Sequence, residues 1–211
     1  MKARITTLTL ALFAVVAVSG LSAQDGQQGT ASSTAKAQDK FVASCPISGG
    51  AASEENFIER NGKKIYFCCP NCSKAFEASP EKFAATVNYQ LLQTKQMVQV
   101  GCPLSGGPIA GDKKVKIGTT EVDFCCQNCQ GKIAKMDQKE QVATVFGSAA
   151  KGFTMQTKCP VSGQPISTEH TVKHEGTDIY FCCPNCKAGF EKDPAKYADK
   201  VAHLIKKDAG K

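Results

Sequence analysis

Cysteine recurs in this chain at a fixed step. Cys45-Pro46-Ile47-Ser48-Gly49 returns as Cys102-Pro103-Leu104-Ser105-Gly106 and again as Cys159-Pro160-Val161-Ser162-Gly163, each 57 residues from the last (102 − 45 and 159 − 102). A second block keeps the same register: Cys68-Cys69-Pro70-Asn71-Cys72, Cys125-Cys126-Gln127-Asn128-Cys129 and Cys182-Cys183-Pro184-Asn185-Cys186. All 12 cysteines fall in this pattern, four to a copy. A fixed period of this size marks tandem units. Copies spanning 41–97, 98–154 and 155–211 fit the step. A unit of about 57 residues cannot bury a large core, so metals or disulfides usually supplement it.

Within a copy the local structure is legible. Cys-Pro-x-Ser-Gly is a tight turn. Asn61-Gly62 predicts a hairpin turn leading into the aromatic strand Ile65-Tyr66-Phe67, and Gly176 does the same before Ile179-Tyr180-Phe181. Pro70 suits the first position of a helix and disfavours helix at Cys69 before it. That helix should run through Phe76, or Phe190 in the third copy, with a second starting near Pro80 or Pro194. Phe83 to Val100 and Ala195 to Lys207 look amphipathic, suited to packing the units together. The middle copy diverges, with Asp123, Gln127, Ile133 and Asp137 where the outer copies carry tyrosine, proline, phenylalanine and proline. A weaker core, and the weakest of the three sites, is expected there.

The cysteine spacing suits thiolate chemistry. A thiol in the first turn of a helix, as expected for Cys72, meets free N–H groups and the positive end of the helix dipole, which should lower its pKa. Cys68 and Cys69 each stand at a spacing from Cys72 that can place two ligands on one face. On extended backbone the adjacent pair points to opposite sides. One of the two should therefore meet the metal with Cys45 and Cys72, while the other packs, twists in or binds elsewhere. Structural zinc takes four ligands, which Cys45, Cys68, Cys69 and Cys72 would supply. A three-thiolate site points instead to copper or another soft ion. His170, His174 and His203 occur only in the third copy, so no recurring site depends on them.

The spacing Cys45-x22-Cys68-x3-Cys72 resembles the TRASH domain, a module linked to trafficking, resistance and sensing of heavy metals. Ile179-Tyr180-Phe181-Cys182-Cys183-Pro184-Asn185-Cys186, with the later Asp193-Pro194-Ala195-Lys196-Tyr197, is similar to the related YHS domain. The resemblance implies an α+β chain of three tandem small treble-clef-like modules: a cysteine turn, a β-hairpin, then a helix. It also implies metal ligands Cys45, Cys68 and Cys72, then Cys102, Cys125 and Cys129, then Cys159, Cys182 and Cys186. Two departures stand out. Each copy has an extra cysteine, at Cys69, Cys126 and Cys183, and has Ser48, Ser105 or Ser162 where a treble clef often has a second turn cysteine. The extra cysteine is expected to replace that ligand. One zinc or copper ion per repeat follows.

The first residues read as a targeting segment. Met1-Lys2-Ala3-Arg4 is basic, Leu8 to Val18 is apolar, and Leu21-Ser22-Ala23 ends in small residues, so 1–23 is expected to be a signal peptide. No cysteine precedes Cys45, which excludes a lipidated cysteine at the cleavage point. Residues 24–40 read as a flexible Gly-, Gln- and Ser-rich leader. A periplasmic or secreted location follows, with no stable membrane insertion after cleavage. The formal charge of +7 falls by two without Lys2 and Arg4 and is spread along the chain, which argues against a nucleic-acid partner. Metal ions, and another metal-handling protein, are the expected partners.

Outside the cytoplasm free thiols oxidise. A disulfide-stapled scaffold, with three pairings open to each copy, is therefore the main competing reading. A thiol–disulfide exchange protein using Cys69-Pro70-Asn71-Cys72 is the other, although no βαβ pattern accompanies it. No His, Asp or Glu repeats beside the cysteines as an acid or base, so the chain does not read as an enzyme.

Overall fold

The computed structural model describes residues 41–147 and 151–205. The expected signal peptide and leader lie outside the described residues. What is described is a mixed α+β chain of short antiparallel hairpins and short helices.

The first copy begins with the cysteine turn, followed by strands β1 (Phe57–Arg60) and β2 (Lys63–Tyr66). They pair antiparallel, Phe57 opposite Tyr66 and Arg60 opposite Lys63. The two connecting residues, Asn61 and Gly62, have φ of 52° and 69°. Two successive left-handed residues match the twist of a two-residue hairpin, which explains the Asn-Gly pair. Helix α1 (Pro70–Ala78) starts on Pro70, and Cys69 before it is extended at φ −160° and ψ 163°. A 3-10 turn at Pro80–Phe83 leads into α2 (Ala84–Gln93).

The amphipathic helix expected over Phe83 to Val100 is shorter than its pattern. Lys95 turns left-handed at φ 57°, and the N–H groups of Gln96 and Met97 bond back to the Leu91 carbonyl. That closes the helix end. The chain then runs into strand β3 (Val98–Gln99).

The central copy contains β4 (Lys114–Ile117), β5 (Thr120–Asp123), α3 (Gln127–Ala134) and α4 (Gln138–Phe146). Asp137, where the outer copies have proline, accepts from the Glu140 N–H at 2.8 Å while Glu140 accepts from the Asp137 N–H at 3.2 Å. This reciprocal cap gives α4 a firm start without proline. After α4, strand β6 (Phe153–Thr154) pairs antiparallel with β3.

The expected weakness of this central core is overturned. It is the largest cluster of buried side chains among the described residues, with Val122, Phe124 and Ile133 fully buried. The reason lies outside the copy. Helix α2 packs against α4, adding Tyr89 and Leu91, and Met97 follows. The Tyr89 ring sits 5.3 Å from Phe146, and its hydroxyl donates to the Ile117 carbonyl at 2.9 Å. Asn88 donates to the Phe146 carbonyl at 2.8 Å. Each large side chain so buried contributes about 1.5–3 kcal/mol.

The third copy repeats the plan with β7 (Thr171–His174), β8 (Thr177–Tyr180) and α5 (Pro184–Lys192). A 3-10 turn at Pro194–Tyr197 precedes α6 (Ala198–Val201). The helix expected over Ala195 to Lys207 is thus one short turn that bends after Val201. Lys206 and Lys207 lie outside the described residues. Phe181 and Phe190 form the centre of this core, 5.2 Å apart.

A glutamine anchors each strand that enters a cysteine pair. Gln99 accepts from the Asp123 N–H at 3.0 Å and donates to its carbonyl at 2.6 Å. Gln156 holds Tyr180 in the same way, at 2.9 and 2.6 Å. The matching position in the first copy is Val42. There Gln90 of α2, fully buried, bonds both backbone groups of Tyr66 and also the Ser44 carbonyl. Two hydrogen bonds to one residue fix both the height and the rotation of the strand, two residues before the first cysteine of the pair.

Candidate metal centre

Three structural pieces bring the sulfurs together. The first is the turn. The Cys45 N–H donates to the Gly50 carbonyl at 2.7 Å, and the Gly49 N–H returns to the Cys45 carbonyl at 2.8 Å. The same pair of bonds recurs at Cys102 and Cys159. Gly49, Gly106 and Gly163 close these turns at φ of 75–78°. A Cβ there would meet nothing, so it is the left-handed backbone and not lack of room that requires glycine. The turn buries Cys45, Cys102 and Cys159 almost completely. The second piece is the strand end, which delivers Cys68, Cys125 and Cys182. The third is the first helical turn, which delivers Cys72, Cys129 and Cys186.

Together these form three compact groups: Cys45, Cys68 and Cys72; Cys102, Cys125 and Cys129; Cys159, Cys182 and Cys186. Within each group the sulfurs lie within 4.8 Å of one another. Cys68 to Cys72 is 3.5 Å, Cys125 to Cys129 is 3.7 Å and Cys182 to Cys186 is 3.6 Å. A metal with bonds of about 2.3 Å to sulfur spaces its thiolates about 3.8 Å apart when tetrahedral and about 4.0 Å when trigonal. The observed edges of 3.5–3.7 Å lie a few tenths of an ångström inside both spacings. The residues present can therefore hold a metal ion.

The extra cysteines stand beside these groups. Cys69 is extended and precedes α1, and its sulfur is 3.9 Å from Cys68 and 3.6 Å from Cys72. It is not part of the set that closes on buried Cys45. Cys126 lies 3.7 Å from Cys125, and Cys183 lies 3.7 Å from Cys182. Cys126 is exposed, while Cys69 and Cys183 are half-buried. No disulfide joins any of the twelve cysteines in this structure. The histidines join none of the three groups. His174 packs edge-on against Phe190 at 5.2 Å, a core contact.

The serines of the turn have a part that spacing alone did not suggest. Ser48, Ser105 and Ser162 place their hydroxyls 3.3, 3.3 and 3.1 Å from the sulfurs of Cys68, Cys125 and Cys182. They also act on the turn cysteine. Burial pushes the Cys45 thiol up, but the Ser48 hydroxyl and the N–H groups of Ser48, Cys68 and Ile47 outweigh it and bring it down to about 7. The same balance brings Cys102 down to about 6 and Cys159 to about 7. The serine stands where a second turn cysteine was expected, and it supports a thiolate instead of supplying one.

The helix cysteine behaves opposite to expectation. Cys72 is pushed up to about 12, chiefly by its bond with Cys68, by burial, and by its nearness to Cys69 and Cys45. Burial, then neighbouring sulfurs, push Cys129 and Cys186 up to about 12. Burial and the crowding of neighbouring sulfurs both disfavour the charged form. The thiol that gains from the helix end is Cys69. It makes no regular cap bond, yet the N–H of Cys72, then the Cys72 and Cys68 thiols, hold it below the usual thiol range. Cys126 and Cys183 are lowered by the same kind of contacts. Such a cluster keeps protons until a cation takes their place.

Residues 157–201 match the YHS domain. The match covers the third copy alone, where three tandem copies were expected. The run Asp193-Pro194-Ala195-Lys196-Tyr197 within the match has a partial counterpart in the first copy, Ser79-Pro80-Glu81-Lys82-Phe83, which keeps the proline, the lysine and an aromatic residue, while the central copy lacks the prolines and the aromatic residue. Those two copies nevertheless bring their cysteines together as the matched copy does. No curated protein and no solved structure matches the chain.

Proposed function

We propose that the chain is a metal-binding protein that takes one soft ion, Cu(I), in each of its three cysteine groups, and that it buffers or delivers that ion outside the cytoplasm. The convergence of Cys45, Cys68 and Cys72, and of their two equivalent sets, within 4.8 Å carries this reading. Three thiolates without nitrogen or oxygen donors favour soft metals, and Cu(I) accepts fewer than four ligands. The YHS match on the third copy supports a heavy-metal role. Zinc is the second reading. It is favoured by the nearness of Cys69 to Cys68 and Cys72, which would complete a four-thiolate site in a treble-clef-like module.

Delivery implies a second metal-handling protein as partner, with the chain acting as a carrier and not an enzyme. Export rests on the basic, apolar and small-residue pattern of residues 1–23. Among the described residues no helix is long and apolar enough to cross a membrane. The test is direct. The mature chain is purified with and without reductant, and its metal content and free thiols are counted. Close to three ions per chain supports the proposal. No metal and no free thiols would leave a disulfide scaffold.

A further inference from the structure

Cys68 and Cys72 belong to two sulfur triangles at once. The inner one includes Cys45, which is 1% exposed, with all three sulfurs within 4.8 Å. The outer one includes Cys69, with sides of 3.9, 3.6 and 3.5 Å. The outer triangle is as compact as the inner, and the two share the Cys68–Cys72 edge. Their third corners differ in depth: Cys45 is buried, while Cys69 is half-buried ahead of α1. The extended backbone at Cys69, held by Pro70 behind it, separates the two corners.

The other copies repeat two sides of the outer triangle. Cys125 meets both Cys126 and Cys129 at 3.7 Å, and Cys182 meets Cys183 at 3.7 Å and Cys186 at 3.6 Å. Cys126 is exposed outright.

We propose that Cys69, Cys126 and Cys183 are the entry and exit ligands of these sites, and that a Cu(I) ion passes between the outer and inner triangles by exchanging one sulfur. This rests on the reading that the clusters bind a soft metal. On entry the bond from metal to Cys45 forms and the bond to Cys69 breaks, while Cys68 and Cys72 stay bound. The incoming thiol gives its proton to water, and the outgoing thiolate takes one from water. The oxidation state does not change. Exit is the reverse. An ion that changes one ligand in three is never stripped, whereas a bare ion leaving a buried site would bear the full cost of desolvated charge. Cu(I) suits this path because it is stable with two or three thiolates. A permanent fourth ligand would have to close on Cys45 as well, and Cys69 lies outside that set.

The experiment uses the full reduced chain loaded with Cu(I) and the triple variant Cys69→Ser, Cys126→Ser, Cys183→Ser. Transfer of Cu(I) to bicinchoninate, a soluble chelator, is followed by absorbance, and uptake is followed by running the exchange backwards. The expected result is three Cu(I) bound by both proteins, affinities within threefold, and transfer at least tenfold slower for the variant in both directions. Equal rates would overturn the proposal. So would a loss of stoichiometry or a hundredfold loss of affinity, which would make the extra cysteines permanent fourth ligands. The single variant Cys126→Ser, at an exposed position, gives the same comparison at one site if the triple variant folds poorly. A wild-type chain that binds no Cu(I) would remove the metal reading itself, a result distinct from unchanged rates.

Discussion

Ser162 sets its hydroxyl 3.1 Å from the Cys182 sulfur and also lowers the thiol of Cys159. One small side chain thus serves two sulfurs of the same site. A hydrogen bond to a charged acceptor is worth about 1.5–3 kcal/mol, roughly tenfold in affinity or more. Ser162→Ala should therefore weaken metal binding at the third site about tenfold and leave the other two unchanged. Ser48→Ala and Ser105→Ala should do the same at theirs. Competition titration against a chelator of known affinity measures it, and unchanged affinity would show the hydroxyls to be bystanders.

Metal uptake should release protons and depend on pH in a set direction. Cys45 and Cys159 are held down to about 7 and Cys102 to about 6, so each is a thiolate above those values and gains a proton as pH falls through them. Affinity should fall as pH drops and fall more steeply below 7, with the central site holding on longest. At pH 8 the helix thiols Cys72, Cys129 and Cys186, pushed up to about 12, still carry protons that the metal must displace. Titration in weak buffer should record at least one proton released per ion bound. Uptake without proton release at pH 8 would contradict this electrostatic account.

Gly152 lies against the central cysteine turn at φ 69°, and a Cβ there would sit 2.5 Å from the Gly101 oxygen and 2.8 Å from the Cys102 carbonyl carbon. Those neighbours are backbone and cannot step aside. Gly152→Ala should destabilise the central copy by about 1–3 kcal/mol from the left-handed conformation, before any clash. Metal content should drop from three ions to two. Three ions with normal stability would show that the turn tolerates displacement.

Gln156 binds both backbone groups of Tyr180 and is buried. Gln156→Leu leaves that N–H and C=O without partners, at a cost of about 1–3 kcal/mol for each buried unpaired group. The third copy should unfold earlier in denaturant. Metal binding should restore part of the loss, because a bound ion favours the folded state. Equal denaturation midpoints for the variant and the wild type would rule out a supporting role.

Much of each site is legible in the sequence. Asn61-Gly62 signalled the hairpin, Pro70 the start of α1, and the period aligned every sulfur. These are local or repeated features, and local sterics decide them. What escaped were effects between groups distant in sequence. Tyr89 belongs to one copy by position and to another by packing, so a copy-by-copy reading expects the weakest core where the largest buried cluster lies. The expectation for Cys72 considered the helix end but not three other sulfurs crowding it. The glutamine anchors could have been noticed, since Gln99 and Gln156 share the cysteine period, but Val42 breaks the pattern and α2 supplies the substitute.

Helix α2 gives the chain a grammar that its repeats conceal. Gln90 pins the first copy's strand, while its neighbours Tyr89 and Leu91 fill the central core. An ion that ties down either of the first two sites should therefore raise the melting temperature of both. Neither could be excised as a free-standing unit without leaving a hydrophobic wound in the other. The third copy, whose buried cluster is its own, is the one that could be lost, duplicated or traded.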